Sequence, residues 1–200
     1  GTFRPLDWMA LTKLYGVNST YKSGDDVYKF DHNSGIFLID GNGIDLIDVS
    51  DSIEDVYIDL RYGSHSYQGD KSSLITSGNQ LTISHGSDIE NIKTGLGNDT
   101  VVGNHLSNII STGLGHDTIF AGNGSDTIYP GQGTDSIDLS DEDNSQDTII
   151  FEITNVGEAV KTVYGFDQDI LGDIIDFKDF NFLNLNILPI VDVKNSLPPK

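Results

Sequence analysis

The chain has no cysteine. Disulfides, thiolate zinc sites and cysteine nucleophiles are therefore excluded, and cysteine usage says nothing of the compartment. Positive charge is scarce: 11 Lys and Arg stand against 31 Asp and Glu, a formal net charge of −20. Such a chain lacks the basic footprint that nucleic acid binding requires. It has no run of 18 apolar residues, and Gly1–Leu14 lacks a signal-peptide layout, so no membrane insertion and no cleavable address are expected. The histidines, His32, His65, His85, His105 and His116, are never followed by Glu and never spaced i, i+4. An H-E-x-x-H zinc motif is therefore absent. Apolar side chains make up only 36% of the 200 residues, while Gly reaches 22. At this length one domain can bury a core, but a chain this lean and acidic either stays disordered or folds around cations.

The charge is unevenly placed. No positive side chain lies between Lys93 and Lys161, yet that stretch carries Asp99, Asp117, Asp126, Asp135, Asp138, Asp141, Glu142, Asp143, Asp147, Glu152 and Glu158. A compact form must leave these carboxylates in solvent or bring metal ions to them. At the start, Leu6–Gly16 reads as one short helix, with Asp7 at its cap, Met9, Leu11, Leu14 and Tyr15 as an apolar stripe, and Gly16 as its stop. From Tyr21 to His85, short β-like pieces (27–30, 36–39, 56–60 and 81–84) alternate with Gly, Asn, Asp and Ser clusters, so irregular all-β structure is expected.

From Thr94 to Asp138 the sequence is periodic: TGLGNDTVV, GNHLSNIIS, TGLGHDTIF, AGNGSDTIY and PGQGTDSID follow without a gap. Gly recurs at the second and fourth positions, Asp at the sixth and an aliphatic at the eighth. The second unit departs, with Asn104, Leu106 and Asn108 in those places. The register extends back to His85–Lys93, with Asp88 fourth, Glu90 sixth and Ile92 eighth. In a three-residue strand the eighth residue faces one way and its neighbours the other, so Ile92, Val101, Ile110, Ile119, Ile128 and Ile137 form an inward stack. The other six residues make a turn, in which Gly permits positive φ and exposes carbonyls while Asp adds a hard anionic oxygen. Carbonyls and carboxylates without Cys or clustered His suit Ca²⁺ rather than zinc. A flexible acidic linker would need neither the fixed phase nor the repeated aliphatic.

These nonads resemble the RTX (repeats-in-toxin) family, whose units run G-G-x-G-x-D-x-aliphatic-x. The helix, Ser23-Gly-Asp-Asp-Val-Tyr28, Asp40-Gly-Asn-Gly-Ile-Asp45 and Ile89-Glu-Asn91 precede the repeats in an order similar to the C-terminal domain of serralysin-type metalloproteases. The same module type ends large RTX adhesins. The resemblance implies an all-β fold, a right-handed parallel β-roll with an N-terminal helix and a β-rich C-terminal cap. Two nonads make one coil, and several Ca²⁺ ions sit between successive turns of each edge. Carbonyls at the second and fourth positions and the side chain at the sixth would hold them. One edge would use Gly95, Gly97, Asp99, Gly113, Gly115, Asp117, Gly131, Gly133 and Asp135. The other would use Asp88, Glu90, Leu106, Asn108, Gly122, Gly124 and Asp126, where neutral Asn108 and non-Gly Leu106 depart from the family pattern. A further site is implied by backbone oxygens near Lys22, Gly24 and Asp26 together with Asp40 and Asp45.

Four regions are expected: a helix and linker (1–22), an irregular β region with one calcium site (23–84), the roll (85–150) and a cap with a type I secretion-like region (151–200). After Asp138 the pattern decays to Gln146-Asp-Thr-Ile-Ile150. Val163-Tyr-Gly-Phe166 and Gly172–Phe177 resemble the hydrophobic C-terminal region of type I secretion substrates. The function expected is a non-catalytic, monomeric, calcium-binding module of a large secreted or surface protein, partnered by the type I secretion machinery. The alternative is the same domain of a serralysin-like protease whose catalytic part lies elsewhere. A glycosidase-like carboxylate pair is less economical than metal ligation. An ice or crystal binder would need an edge ladder of one residue type, which neither the third-position nor the fifth-position residues supply. His105 and His116 read as solvated turn residues, and Trp8, Tyr62 and Tyr67 as packing residues rather than sugar platforms.

Overall fold

Thr-Ile and Thr-Val pairs flanked by Gly-rich hexapeptides give strands only three residues long, because β-branched residues favour extension and glycine ends it. In a computed structural model, described for residues 4–140, 145–152, 160–167 and 172–178, the chain forms one helix, α1 (Pro5–Tyr15), and fifteen strands. The early strands are β1 (Val27–Tyr28), β2 (Ile36–Leu38), β3 (Leu46–Asp48), β4 (Val56–Asp59), β5 (His65–Gln68) and β6 (Gln80–Ile83). The periodic stretch supplies β7 (Asn91–Lys93), β8 (Thr100–Val102), β9 (Ile109–Ser111), β10 (Thr118–Phe120), β11 (Thr127–Tyr129) and β12 (Asp135–Asp138). Beyond it lie β13 (Thr148–Glu152), β14 (Lys161–Tyr164) and β15 (Ile174–Lys178).

The strands alternate between two sheets, ordered β1-β3-β7-β9-β11-β13-β15 and β14-β12-β10-β8-β4-β5-β6-β2. Ile119 pairs in parallel with Val101 and Ile137, eighteen residues either way, and Ile110 pairs likewise with Ile92 and Ile128. One coil is thus two nonads, and the protein is a parallel β-roll. Its filling is the eighth-position stack: Ile92, Val101, Ile110, Ile119, Ile128 and Ile137 are all buried. The stack continues through Ile47 and Tyr28 on one side and Ile149 on the other.

Three earlier segments obey the same grammar. Tyr21–Lys29, Asp40–Asp48 and Asp51–Asp59 each end in a strand of the roll, with Tyr28, Ile47 and Ile58 in the eighth place. Their spacing is broken by β5 and β6: β5 pairs antiparallel with β4 and with β6, β6 pairs in parallel with β2, and the two fill the space between β4 and β2 in one sheet only.

The helix has its expected bounds but a different anatomy. Arg4 is the N-cap, and Asp7 sits at the third helical position, where it accepts the Arg4 backbone N–H at 2.9 Å. Gly16 ends the helix at φ 75°, its N–H donating to the Thr12 carbonyl. The apolar stripe is not a core face: Leu14 is 73% and Tyr15 81% exposed, and Thr12 is the buried residue. Residues 179–200, which carry part of the expected cap and secretion-like region, lie outside the described residues.

Candidate metal centre

Successive turns of each edge are stacked by three kinds of hydrogen bond, each tied to a place in the nonad. Third-position N–H groups donate to second-position carbonyls of the preceding coil: Leu96 to Ser52, Leu114 to Gly95, Gln132 to Gly113 and, on the other edge, Asn123 to Asn104, all at 2.8–2.9 Å. Fifth-position side chains accept the N–H of the fifth residue one coil later. Asp55 thereby takes Asn98, Asn98 takes His116, and His116 Nδ1 takes Thr134 at 2.9 Å. His116 is therefore a member of an edge ladder rather than a merely solvated turn residue. His105 is exposed and meets Tyr62 edge-on at 5.7 Å.

Sixth-position carboxylates run the opposite way. On the first edge the N–H groups of Val56, Asp99 and Asp117 donate to Oδ1 of Asp99, Asp117 and Asp135 respectively, at 2.8–3.0 Å. The three carboxylates are at most 1% exposed. Only one oxygen of each is used by this ladder. Oδ2 of Asp99 and of Asp117 is buried with no hydrogen-bond partner. Burial pushes the carboxyl of Asp117 up to about 7, with Asp135 and Asp99 adding to the shift, and it raises that of Asp99 as well. A buried anion with an unsatisfied oxygen is costly unless a cation joins it.

The second edge is longer and less uniform. N–H groups of Asp26 and Asp45 donate to Asp45 Oδ1 and Glu90 Oε2, at 2.7 and 2.8 Å. Farther along, those of Asn108, Asp126 and Asp147 donate to Asp126, Asp147 and Asp173, at 2.7–2.9 Å. The relay does not pass from Glu90 to Asn108. Asn108 turns back into its own turn, its Oδ1 accepting the Asn104 N–H and its Nδ2 donating to Asn104 Oδ1. Asn104 in turn donates through Nδ2 to the Ile89 carbonyl at 2.8 Å, across the gap between coils. Two amides thus hold together a gap that carboxylates border elsewhere.

The turns tolerate no side chain where they stack. A Cβ on Gly133, at φ 122°, would lie 1.6 Å from the Gly115 carbonyl oxygen, and one on Gly131 would lie 1.8 Å from that of Gly113. Such positive φ values are ones that residues with side chains rarely adopt.

Asp26, Asp40 and Asp45 converge at one end of the roll, offering carboxylate oxygens all within 4.8 Å of one another. Asp40 Oδ1 and Asp45 Oδ2 are buried and unpartnered. Burial, with Asp40 and Glu90 nearby, pushes Asp45 up to about 6. The Tyr28 hydroxyl donates to Asp40 Oδ2, and burial beside that carboxylate raises its pKa. Lys22 holds φ 46°, a glycine-like conformation at the second position of its unit, while its ammonium donates to the Tyr28 hydroxyl.

The structure brings nearly all the expected residues to these edges. Asp88 stands at the fourth position of its turn with its side chain exposed, where it accepts a hydrogen bond from the Tyr62 hydroxyl. Asp147 and Asp173 belong to the second edge although the expected ligand set omitted them, and Asn104, noted only as a departure from the pattern, joins them. Asp-Thr-Ile at 147 and Asp-Ile-Ile at 173 preserve only the sixth-to-eighth fragment of a nonad.

The family model of the RTX calcium-binding nonapeptide repeat, four copies long, matches residues 86–105 and 106–137. These are RTX calcium-binding repeats. The donors fit that ion: all are oxygens, and Asp40, Asp45, Asp99 and Asp117 are buried carboxylates that each keep one oxygen without a hydrogen-bond partner. The chain is 36% identical over 118 residues to a serralysin of Proteus mirabilis, covering 52% of this chain and 23% of that protein. It is 35% identical over 118 residues to metallopeptidase AprA of Pseudomonas marginalis (52% and 24%) and 34% over 120 residues to serralysin G of Dickeya chrysanthemi (53% and 24%). It thus resembles the C-terminal RTX region of serralysins and spans about a quarter of the length of these relatives. Among the described residues no helix is long and apolar enough to cross a membrane.

Proposed function

We propose that the chain is a non-catalytic, monomeric module of a large secreted bacterial protein, an adhesin or similar, which folds on extracellular Ca²⁺ and supports type I secretion. The observation that carries this is the set of buried sixth-position carboxylates, each using one oxygen to stack coils while Asp99 and Asp117 keep the other unpartnered. In a compartment poor in Ca²⁺ these anions oppose compaction, and the chain stays exportable. Outside, an ion bound at a Kd of roughly 10⁻⁴ M and present in hundredfold excess stabilises the folded form by about 2.7 kcal/mol per site. Expected sites on the first edge are the Asp99/Asp117 and Asp117/Asp135 gaps, with the second and fourth carbonyls of each turn. Asp126 and its glycine turn would serve the second edge, and Asp26, Asp40 and Asp45 the end of the roll. Circular dichroism should read coil in EDTA and β on adding millimolar Ca²⁺, and a folded spectrum indifferent to chelation would overturn the proposal.

A second reading is favoured by the serralysin matches: this is the RTX end of a metalloprotease. The sequence encoded ahead of Gly1 discriminates, since H-E-x-x-H there supports the protease and long tandem repeats the adhesin.

A further inference from the structure

The first edge does not end as its middle does. Asp99 and Asp117 each leave Oδ2 unpartnered, but Asp135 Oδ2 accepts the ammonium of Lys161. The same ammonium donates to the Gly131 carbonyl at 2.9 Å and to the Pro130 carbonyl at 3.4 Å. Gly131 stands in the second position of its turn, the place whose carbonyl is a calcium ligand in the proposed function. An ammonium has three N–H donors, and here it meets three oxygens. The pair is largely withdrawn from water: the side chains of Lys161 and Asp135 are 11% and 0% exposed. Among the described residues no acid continues the ladder: the Asp135 N–H donates to the Val160 carbonyl instead of a carboxylate. Lys161 is also the first basic residue after Lys93.

We propose that Lys161 is a resident cation at the end of the first edge: its ammonium fills the oxygen set of Asp135, Gly131 and Pro130, so that the gap beyond Asp135 takes a lysine in place of Ca²⁺. This rests on the calcium reading of the preceding gaps. A gap bordered by two carboxylates suits a divalent ion, and one where, among the described residues, a single carboxylate already meets an ammonium suits a monovalent group. The lysine closes the series of metal gaps and fastens β14 to β12, where Lys161 pairs with Asp135.

Amine acetylation of the wild-type chain in saturating Ca²⁺, read peptide by peptide by mass spectrometry, tests this directly. Lys161 should react at least tenfold more slowly than exposed Lys93. Equal reactivity would mean that calcium takes the oxygens and releases the lysine, and would overturn the proposal. In calcium titrations of folding, Lys161→Arg should stay within about threefold of the wild-type midpoint, and Lys161→Met should need severalfold more Ca²⁺. A Lys161→Met midpoint equal to wild type also overturns it. If the wild-type chain itself folds without responding to Ca²⁺, the calcium reading fails, a result separate from either of these.

Discussion

Asp117 should hinder folding without calcium and promote it with calcium, and Asp117→Asn separates the two effects. Its carboxyl moves from 3.8 to about 7 on folding, chiefly through burial. At about 1.4 kcal/mol per pH unit the ionised group costs at most about 4 kcal/mol, or about 3 allowing for screening by water near the rim of the edge. The sign follows from a raised carboxylate pKa. The folded chain keeps the proton to a higher pH than the unfolded chain, so the cost is absent below about pH 4, grows as pH rises to about 7 and is complete above that. Asparagine fits a sixth position, as Asn108 already does on the other edge. In EDTA at pH 8, Asp117→Asn should therefore be the more stable protein by about 3 kcal/mol, with the difference vanishing toward pH 4. In calcium the order reverses. Asp117 borders two gaps, and two ions at hundredfold excess over their Kd contribute about 5 kcal/mol, outweighing the about 3 kcal/mol gained by neutralisation. Circular dichroism at pH 5 and pH 8, following folding driven by an excluded osmolyte such as TMAO in EDTA and urea unfolding in Ca²⁺, measures all four corners. A variant less stable than wild type in EDTA at pH 8, or an unchanged pH dependence, would refute the reasoning.

Two further substitutions probe the stacking itself. Gly133→Ala places a methyl 1.6 Å from the Gly115 oxygen at φ 122° and should abolish the calcium-induced β spectrum, whereas Gly16→Ala, at φ 75° with nothing within 4 Å, should cost only about 1 kcal/mol. Asn104→Ala removes the donor to Ile89 and the acceptor for Leu106 and Asn108. It should lower stability in saturating calcium by about 1–3 kcal/mol in urea titrations, without changing the number of ions bound in equilibrium dialysis.

The roll was legible wherever period and residue type agreed. Six units sharing an aliphatic eighth residue fixed the inward stack, and the two-nonad coil came from the family resemblance. The earlier units were harder to see. Lys22 takes a glycine conformation without being glycine, Ser52 and Glu54 stand where Gly is usual, and β5 and β6 interrupt the eighteen-residue spacing with a polar antiparallel excursion, His65-Ser-Tyr-Gln68. Hydrophobic pattern placed the helix but misjudged its stripe, because nothing among the described residues covers Leu14 or Tyr15. The site residues at glycine and aspartate positions could be counted from the pattern. The pairing of Asn104 with Asn108 could not, since it depends on how two amides orient within one turn. Lys161 was invisible for a related reason: its partner Asp135 lies 26 residues earlier in the chain.

Because one coil is two nonads and each nonad owns one sheet and one edge, the roll has a unit of length that differs from its unit of sequence. Losing or duplicating eighteen residues leaves every remaining strand in its own sheet and every acid on its own edge. Losing nine would send each later strand to the opposite sheet and set the Asp99 series beneath the Asn108 series. Relatives with longer or shorter periodic stretches should therefore differ by even numbers of repeats, so that genes of this kind grow and shrink by whole coils.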